Sequence, residues 1–432
     1  MKMFKVLILF AMLAVFFMYC TKTDQVVAPS STNTTDLLCY KTTTIPTIDG
    51  TVDAIWANAQ KLNVTPVVPD PGNGLFAGYA GKSYPATLRA MYDDQYIYFL
   101  AEWNDPSNNI VQPWYFNPTT KRWAQRGNAD QFDANGNLIK QGMGQDQFAM
   151  LWNIDNSTPK FASQTCYASC HLFTPYRNYA GVMVPNASGN HYTNGAAEKI
   201  DMWWCHLNKD LVTNQMDDQY QDWAGGPAVT DTVGGNGNGR HADDLVPPVP
   251  FSTTYTNTNP NPSNANGALS NSQSLKLDGT GASVSVPKWV VPNASGKLYY
   301  QLTDTLAGGV AIKVIKVSSW GTLYLASGDS INPTGDAAYS DNAGITPTVG
   351  SKCFPSFLAN PLTGGRSDFI ATGTYTGTSW VLEFKRKLKT GDVLKQDIDF
   401  TSLQDQAFGL AIFNSSNYQH GIQPNLMLKF QK

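Results

Sequence analysis

The feature that most constrains the fold of this chain is a two-residue alternation of side-chain types in several short segments. Trp380, Leu382 and Phe384 alternate with Val381, Glu383 and Lys385, and similar alternation occurs in residues 310–315 and 408–412. Successive side chains of a β-strand point to opposite faces of a sheet, so this pattern indicates strands with one buried face. No long segment has a convincing helical period. The sequence therefore predicts an all-β protein, an antiparallel β-sandwich.

The composition agrees with such a fold. The chain has 432 residues, of which 42% are hydrophobic and 15% charged, which is ample material for a large core. The 36 glycines and 25 prolines indicate short strands joined by long loops, including residues 104–145 and the Gly/Asn-rich residues 224–275. The net charge is −3 and no Lys/Arg cluster follows the first residues, which argues against a nucleic-acid-binding protein.

The first 20 residues are typical of an export signal. Lys2 and Lys5 precede an unbroken apolar run over residues 6–19, which is too short to span a bilayer comfortably, and Cys20 follows at once. An apolar run that ends in cysteine before a Ser/Thr-rich tract resembles a bacterial lipoprotein signal, in which Cys20 becomes lipidated; ordinary cleavage nearby is the alternative. We predict a signal peptide over 1–20, a polar tether over 21–39 and a folded domain over 40–432. The protein is then exported, as a periplasmic or outer-membrane-anchored lipoprotein.

The strongest chemical signal is a pair of cysteines followed by a histidine. Three residues separate Cys166 from Cys170, and His171 follows directly. Covalent attachment of haem c uses two thiols for thioether bonds and an adjacent imidazole for the iron, and the usual spacing is two residues rather than three. A disulfide between the two cysteines is the alternative, since an exported protein permits one. Zinc has less support, because no second Cys/His pair with ligand spacing accompanies the first. We predict one covalent haem c.

The haem iron needs a second axial ligand, for which His206 is the preferred candidate. His206 follows an aromatic segment whose Trp203 and Trp204 are expected to wall the haem pocket. Met150, in a predicted strand, is the alternative distal ligand, although plain core packing would also explain it. A His/His pair keeps the reduction potential low, whereas a His/Met pair raises it. The remaining histidines are His191 and His241, which lie in polar loops and have lower priority, and His420, which is expected to be unrelated to the iron.

Several segments in order resemble the haem-binding domain related to the γ subunit of ethylbenzene dehydrogenase. They are residues 146–152, the Cys/Cys/His motif and residues 201–206, flanked by residues 48–56, 92–98 and 380–388. The resemblance covers about residues 40–425 without the Gly/Asn-rich tract. It implies a β-sandwich, similar also to family 9 carbohydrate-binding modules and DOMON domains, with a long loop insertion that carries the haem.

The resemblance also bears on the ligands and on the other cysteines. Members with non-covalent haem use a methionine and a lysine on the iron, and His206 stands at the position of that lysine. Cys205 stands where the family has a second tryptophan, and is either a thiol near the haem or a disulfide partner. With Cys20 lipidated and two cysteines on haem, one disulfide and one free thiol remain, and we favour a disulfide between Cys39 and Cys353.

The expected function is electron transfer by an exported c-type cytochrome, without enzymatic activity. The sequence contains no dinucleotide fingerprint or phosphate-binding loop and no recognisable catalytic residues, so a small-molecule substrate is not expected. The expected partners are redox proteins and the membrane, through the lipid anchor. Two alternatives remain: a haem subunit of a molybdenum dehydrogenase complex, or a carbohydrate-binding sandwich without haem. The tryptophans that would stack on a sugar in the latter are Trp103, Trp114, Trp123 and Trp223.

Overall fold

The structure is a computed structural model that describes part of the chain. The described residues are 35–69, 76, 78–108, 114–125, 131–132, 138–140, 144–169, 176–179, 182–185, 193, 197–222, 240–243, 268–290, 301–333, 353–354, 356–416 and 419–431. All of them belong to one compact unit, which spans Thr32–Lys432.

The described residues are nearly all β-structure, with a few short helical segments. The strands are β1 Asp36–Lys41, β2 Leu62–Val64, β3 Ala86–Tyr92, β4 Tyr96–Asn104, β5 Trp114–Asn117, β6 Arg122–Gln125, β7 Gln131–Phe132, β8 Leu138–Lys140, β9 Gln145–Asn153, β10 Tyr176–Tyr179, β11 Val182–Pro185, β12 Ile200–His206, β13 Asp217–Gln221, β14 Arg240–Ala242, β15 Leu269–Ser270, β16 Gln273–Lys276, β17 Ser283–Val286, β18 Trp289–Val290, β19 Ile312–Val317, β20 Leu323–Leu325, β21 Ser330–Ile331, β22 Cys353–Phe354, β23 Phe357–Leu358, β24 Ile370–Tyr375, β25 Ser379–Lys387, β26 Gln406–Ser416 and β27 His420–Gln431. The α-helices are α1 Phe161–Gln164 and α2 Cys166–Ser169, and the 3₁₀ turns are Ala54–Asn58, Ile154–Asn156, Leu211–Thr213, Leu302–Thr305 and Gly364–Ser367.

One large sheet organises the unit. Its strands follow the order β14-β13-β12-β9-β26-β27-β1-β3-β4-β25-β24, and β2 also pairs with β3. Strand β1 runs parallel to both β27 and β3, and the other pairs of this sheet are antiparallel. Strand β1, the first of the described strands, is therefore held between β27, the last of them, and β3.

The large sheet folds back on itself into two layers. Phe99 on β4 contacts Trp152 on β9 and Trp203 on β12, with ring centroids 6.1 and 5.6 Å apart. Trp103 on β4 stacks on Phe148 of β9 at 5.7 Å. Strands β4 and β9 are far apart in the sheet order, so these contacts cross the interior between two layers, which β27 and β1 join. The predicted β-sandwich is confirmed.

The alternation that predicted buried faces corresponds to the main core. Trp380, Leu382 and Phe384 of β25 are at most 3% exposed and belong to one apolar cluster with residues of both layers. The burial of so many large side chains, each worth about 1.5–3 kcal/mol, is the main stabilising contribution to such a fold.

The sheet begins earlier than the sequence suggested. Strand β1 starts at Asp36, within the stretch that we expected to be a tether over 21–39. Leu37 and Cys39 of this strand point to the same side of the sheet and are fully buried in the main core, and this burial anchors the strand. Part of the Gly/Asn-rich stretch over 224–275 also pairs, as β14, β15 and the start of β16.

A second apolar cluster involves the segments outside the large sheet. Its described members come from β5, β6 and the strands between β16 and β22, and include Trp114, Trp123 and Phe354. Trp114 Nε1 donates to the Asn271 carbonyl at 2.8 Å, and Trp123 Nε1 donates to the Gly321 carbonyl at 2.7 Å. The aperiodic tract over 104–145 therefore contributes to a packed substructure.

Candidate functional site

The outward side of strands β9, β12, β26 and β27 forms a surface that we call the outer face. Adjacent residues of these strands alternate between the main core and a separate apolar cluster on the outer face. The outer-face cluster consists of Ala149, Leu151, Phe161, Cys166, Ile200, Met202, Trp204, Ala407, Ala411, Phe413 and Ile422. Two predicted site residues, Cys166 and Trp204, are among them.

Cys166 is seated on the outer face by a short, locally constrained segment. It begins helix α2 directly after Thr165, whose φ of 41° is uncommon for a residue with a Cβ. The Cys166 side chain lies against Gly409 of β26, where a Cβ atom would be only 2.8 Å from the sulfur. Glycine at 409 is thus what allows the sulfur to approach the sheet so closely. Cys170 and His171 lie outside the described residues.

His206 ends strand β12, and its ring lies on the outer face. Its Nδ1 is 3.0 Å from Asp210 Oδ2, and the same oxygen accepts the His206 amide at 2.7 Å. A carboxylate accepts hydrogen bonds, so Nδ1 carries the proton and Nε2 keeps its lone pair; this tautomer is inferred from the hydrogen bond. Burial lowers the pKa of the imidazole, and Lys209 adds to this effect, whereas Asp210 opposes it. The ring is therefore neutral near pH 7, as a metal ligand must be.

Aromatic rings continue from His206 across the outer face. Trp204 stacks on His206 with ring centroids 4.8 Å apart and on Phe413 at 6.1 Å. Phe413 in turn stacks on His420 of β27 at 4.2 Å. The indole Nε1 of Trp204 donates to Gln147 Oε1 at 2.7 Å, which fixes the plane of the ring. These contacts order a row of flat side chains along one edge of the outer face.

The position of His420 was not expected from the sequence. It stands in the first position of β27 and pairs with Phe413 across the β26–β27 hairpin. His420 and Ile422 are two residues apart in β27, so their side chains share a face of the strand. A local pattern does not reveal which strands lie beside β27, and so the neighbours of His420 could not be predicted. His420 therefore shares the face of the other site residues, and its expected lack of a role at the iron stays a prediction.

Met150 and Trp203 lie on the opposite side of the same strands. Met150 is fully buried in the main core, and Trp203 packs there against Phe99, Trp152 and other rings. The structure therefore does not bring Trp203 and Trp204 to one face, because adjacent residues of a strand face opposite ways. Only Trp204 shares the face of Cys166 and His206. Met150, the alternative distal ligand, is separated from that face by the sheet itself.

Two cysteines outside the Cys/Cys/His motif, Cys39 and Cys205, lie on the core side of their strands. Cys205 precedes His206 and therefore points into the main core, and Cys39 is fully buried there as well. Both are free thiols, and burial raises the pKa of each well above its usual value. The expected disulfide between Cys39 and Cys353 is thus wrong, since the Cys39 side chain turns into the core, and Cys205 is not a thiol on the outer face.

The described residues fit the attachment of a flat, iron-containing group. A cysteine sulfur and a neutral imidazole, the two donor types that haem c requires, lie on one face. Gly409 of β26, on which Cys166 rests, pairs with Leu151 of β9, and His206 of β12 pairs with Gln147 of β9. Measured along β9, Cys166 and His206 therefore lie four residues apart, on the two strands that flank it. Small side chains occupy the positions between them, Ala149 on β9 and Ala411 on β26. Both alanines are buried, at 9% and 7% exposed.

Three of the tryptophans that would serve a sugar-binding site lie in strands β4, β5 and β6 and are not exposed. Trp103, Trp114 and Trp123 are 3%, 2% and 5% exposed and form parts of apolar clusters. Sugar rings stack on open aromatic platforms, so these three side chains cannot serve in that role as they stand. Trp223 lies outside the described residues.

The fold and the outer face define a β-sandwich protein with a cysteine and an oriented histidine on one side of one layer. The chain belongs to the ethylbenzene dehydrogenase family, whose profile matches residues 53–424. This confirms the resemblance drawn from the sequence motifs.

Two solved structures are similar over most of the chain, and both are a family 9 carbohydrate-binding module from Caldicellulosiruptor kristjanssonii. The complex with glucose is 9% identical and covers 91% of this chain and 95% of its own, with a TM-score of 0.27. The complex with cellotriose is 9% identical and covers 92% and 93%, with a TM-score of 0.29. Similarity at this level carries no argument about function. No curated protein sequence matches the chain.

Among the helices of the described residues, none is long and apolar enough to cross a membrane.

Proposed function

We propose that this protein is an exported c-type cytochrome that carries one covalent haem and transfers electrons at the cell envelope. The observation that carries the proposal is that Cys166 and His206, 40 residues apart in the sequence, lie on one face of one sheet layer. Family membership is consistent with a protein that works beside, or as the haem subunit of, a redox enzyme.

Different residues would hold the porphyrin and the iron of the haem. Cys166 and Cys170 would form the two thioether bonds, and His171 and His206 would bind the iron. Asp210 holds the His206 ring in one orientation and keeps the proton on Nδ1, so that Nε2 faces away from the carboxylate. When bound, the haem supplies a centre that gains and loses one electron.

The aromatic row gives the site its surroundings. Trp204 and Phe413 offer flat apolar surfaces next to His206, which exclude water from that side. Met150 is enclosed in the core, so a His/His ligand pair is favoured over His/Met. A His/His pair in turn places the reduction potential in the lower part of the cytochrome range.

The covalent haem is tested with protein made in a host that has a cytochrome c maturation system. A pyridine haemochrome spectrum and the intact mass should report one haem per chain. Cys166→Ala should leave a single thioether, which shifts the haemochrome band, and the double variant Cys166→Ala/Cys170→Ala should abolish the covalent attachment. Cys205→Ala is the matched control, because that thiol lies in the core and should leave the haem content unchanged. Mature wild-type protein without added porphyrin mass would refute the cytochrome assignment.

The sixth ligand is tested by near-infrared magnetic circular dichroism. His206→Ala should replace the bis-histidine signature, whereas His241→Ala, whose ring is bonded to Asp222 away from the outer face, should preserve it. His420→Ala is the informative comparison, since His420 shares the outer face. An unchanged signature in His206→Ala would rule out His206, and a change in His420→Ala alone would assign the ligand to His420.

Export and membrane attachment follow from the N-terminal segment and are tested separately. If Cys20 is lipidated, wild-type protein should fractionate with membranes and partition into detergent, and Cys20→Ala should become soluble in the periplasm. Equal partitioning of the two proteins would mean that Cys20 carries no anchor. We expect redox proteins as partners, with no catalytic residues and no small-molecule substrate.

The second candidate is a haem subunit of a molybdenum dehydrogenase, which family membership favours. Affinity purification of the tagged chain from its native cells distinguishes the two. Stoichiometric recovery of a large molybdenum-containing subunit would support the subunit role, and recovery of the chain alone would support a free-standing carrier.

A further inference from the structure

A fully buried arginine lies among several carboxylates at one side of the main core. The Arg386 Nη1 atom donates to Asp201 Oδ2 at 2.9 Å, to Asp397 Oδ1 at 3.1 Å and to Asp218 Oδ2 at 3.4 Å. Its Nη2 donates to the Ile398 carbonyl at 2.6 Å. The side chains of Arg386, Asp201 and Asp218 are fully excluded from solvent. This polar centre joins strands β12, β13 and β25 inside the sandwich.

A fourth carboxylate, Asp243, completes a group that we call the carboxylate cluster: Asp201, Asp218, Asp243 and Asp397. Asp243 follows β14, is 2% exposed, and donates its amide to the Asp218 carbonyl at 3.3 Å. One guanidinium cannot neutralise four buried carboxylates. Uncompensated charge in a protein interior is costly and is removed by protons or by a bound cation.

The carboxylate cluster also has oxygen atoms without a donor. No N–H or hydroxyl group of the described residues donates to either carboxylate oxygen of Asp243 or to Asp218 Oδ1, and the Asp243 carboxylate instead lies at hydrogen-bond distance from that of Asp397. Burial raises the pKa of Asp243 well above its usual value, and the neighbouring Asp397 and Asp201 raise it further. Orphaned oxygens on a side chain that faces like-charged groups mark the place where a positive ligand is missing.

The cluster offers oxygens for one metal ion beside the guanidinium. One oxygen from each of Asp201, Asp218 and Asp397 lies within 4.8 Å of the other two. Arg386 Nη1 contacts one oxygen of each, so the ion would use oxygens that the guanidinium leaves without a donor, which include Asp201 Oδ1, Asp218 Oδ1 and those of Asp243. Calcium binds oxygen at 2.3–2.6 Å, so two of its ligands can be separated by up to about 5 Å. The donors are carboxylate oxygens alone, which hard cations prefer, and a closed site disfavours magnesium, because that ion keeps several of its waters. We propose that the carboxylate cluster binds one Ca²⁺ ion, which ties β12, β13, the segment after β14 and the segment after β25 together.

In the first test, EDTA removes bound metal from the full-length protein, which is then dialysed against about 1 mM CaCl₂. This concentration is at the upper end of the dissociation constants of extracellular calcium-binding modules. Elemental analysis should find one calcium per chain, and the melting temperature should rise on addition of Ca²⁺ because the ion binds only the folded state. Mg²⁺ at the same concentration should raise it less. Absence of bound calcium together with an unchanged melting temperature would show that protons neutralise the cluster and would overturn the proposal.

The second test locates the ion. Asp243→Asn should lower the affinity for Ca²⁺ at least tenfold and remove the Ca²⁺-dependent rise in melting temperature. Asp304→Asn is the matched control: Asp304 is a buried carboxylate outside the cluster that accepts the Gln301 amide at 2.8 Å, so its loss should lower stability but leave the calcium response intact. A wild-type calcium response in Asp243→Asn would overturn the assignment.

A third measurement does not depend on the folding of a variant. Tb³⁺ replaces Ca²⁺ at oxygen sites and emits when a nearby tryptophan is excited, and the Trp203 ring lies 4.9 Å from the Arg386 guanidinium carbon. Wild-type protein should give tryptophan-sensitised Tb³⁺ emission that CaCl₂ reverses. Absence of this emission would contradict a site at the carboxylate cluster, whatever the outcome of the haem experiments.

Discussion

Gly409 shows how one residue determines the position of a candidate haem thiol. A Cβ at this position would lie 2.8 Å from Cys166 Sγ and 3.3 Å from Thr165 Cβ, closer than packed atoms approach. The alternation of β26 indicates from the sequence that Gly409 lies on the side opposite Phe408 and Leu410. That Cys166 lies above it depends on a contact between residues 243 positions apart, which no local pattern reveals.

We predict that Gly409→Ala destabilises the protein by about 1–3 kcal/mol, because the added methyl group overpacks the seat of Cys166. Chemical denaturation of protein made without haem maturation measures the change in the free energy of unfolding. Gly391→Ala is the control, since a Cβ there would meet nothing within 4 Å. Equal stability of the two variants would mean that Cys166 does not occupy this seat.

Strand β1 shows at the scale of one element what the sequence could and could not predict. The long alternating strand β25 was predicted because nine residues make the period visible. Strand β1 has six residues after a Ser/Thr-rich stretch, and we assigned most of it to a tether. In β19 the period is broken by an irregularity between Val314 and Lys316, so the buried positions are Val314 and Val317.

Leu37 of β1 should contribute far more to stability than its neighbour Leu38. Leu37 is fully buried in the core, so Leu37→Ala should lower the free energy of unfolding by about 2–5 kcal/mol. Leu38 is half-buried on the other face, and Leu38→Ala should cost clearly less. Urea denaturation of both variants gives the comparison. Similar losses would contradict the inward orientation of Leu37 and Cys39.

At the scale of the whole molecule, buried acids should give the protein an unusual dependence on pH. Burial raises the pKa of Asp201 to about 7 and those of Asp105 and Asp368 to about 6. Between the ordinary pKa of an aspartate, about 3.9, and these raised values, the folded state binds more protons than the unfolded state. Stability therefore falls as the pH rises through this window.

We predict that the free energy of unfolding, measured by urea denaturation in EDTA, is lower at pH 7.5 than at pH 5.5. Asp105→Asn should make this decrease smaller, because Asp105 is fully buried and one of its oxygens lacks a partner among the described residues. Asp94→Asn, at a carboxylate that is 85% exposed, should leave the decrease unchanged. A rise in stability from pH 5.5 to 7.5 in the wild type would contradict the raised pKa values.

The order of strands in the large sheet has a consequence for how the protein is made. Strand β1 is made before the other described strands, but one of its two neighbours is β27, the last of them. Strand β9 pairs with β26 across more than 250 intervening residues. Such distant pairings are slow to form. The outer face between Cys166 and His206 cannot form until β26 and β27 have been made, so a chain interrupted before residue 406 would lack Gly409 and the strand on which Cys166 rests.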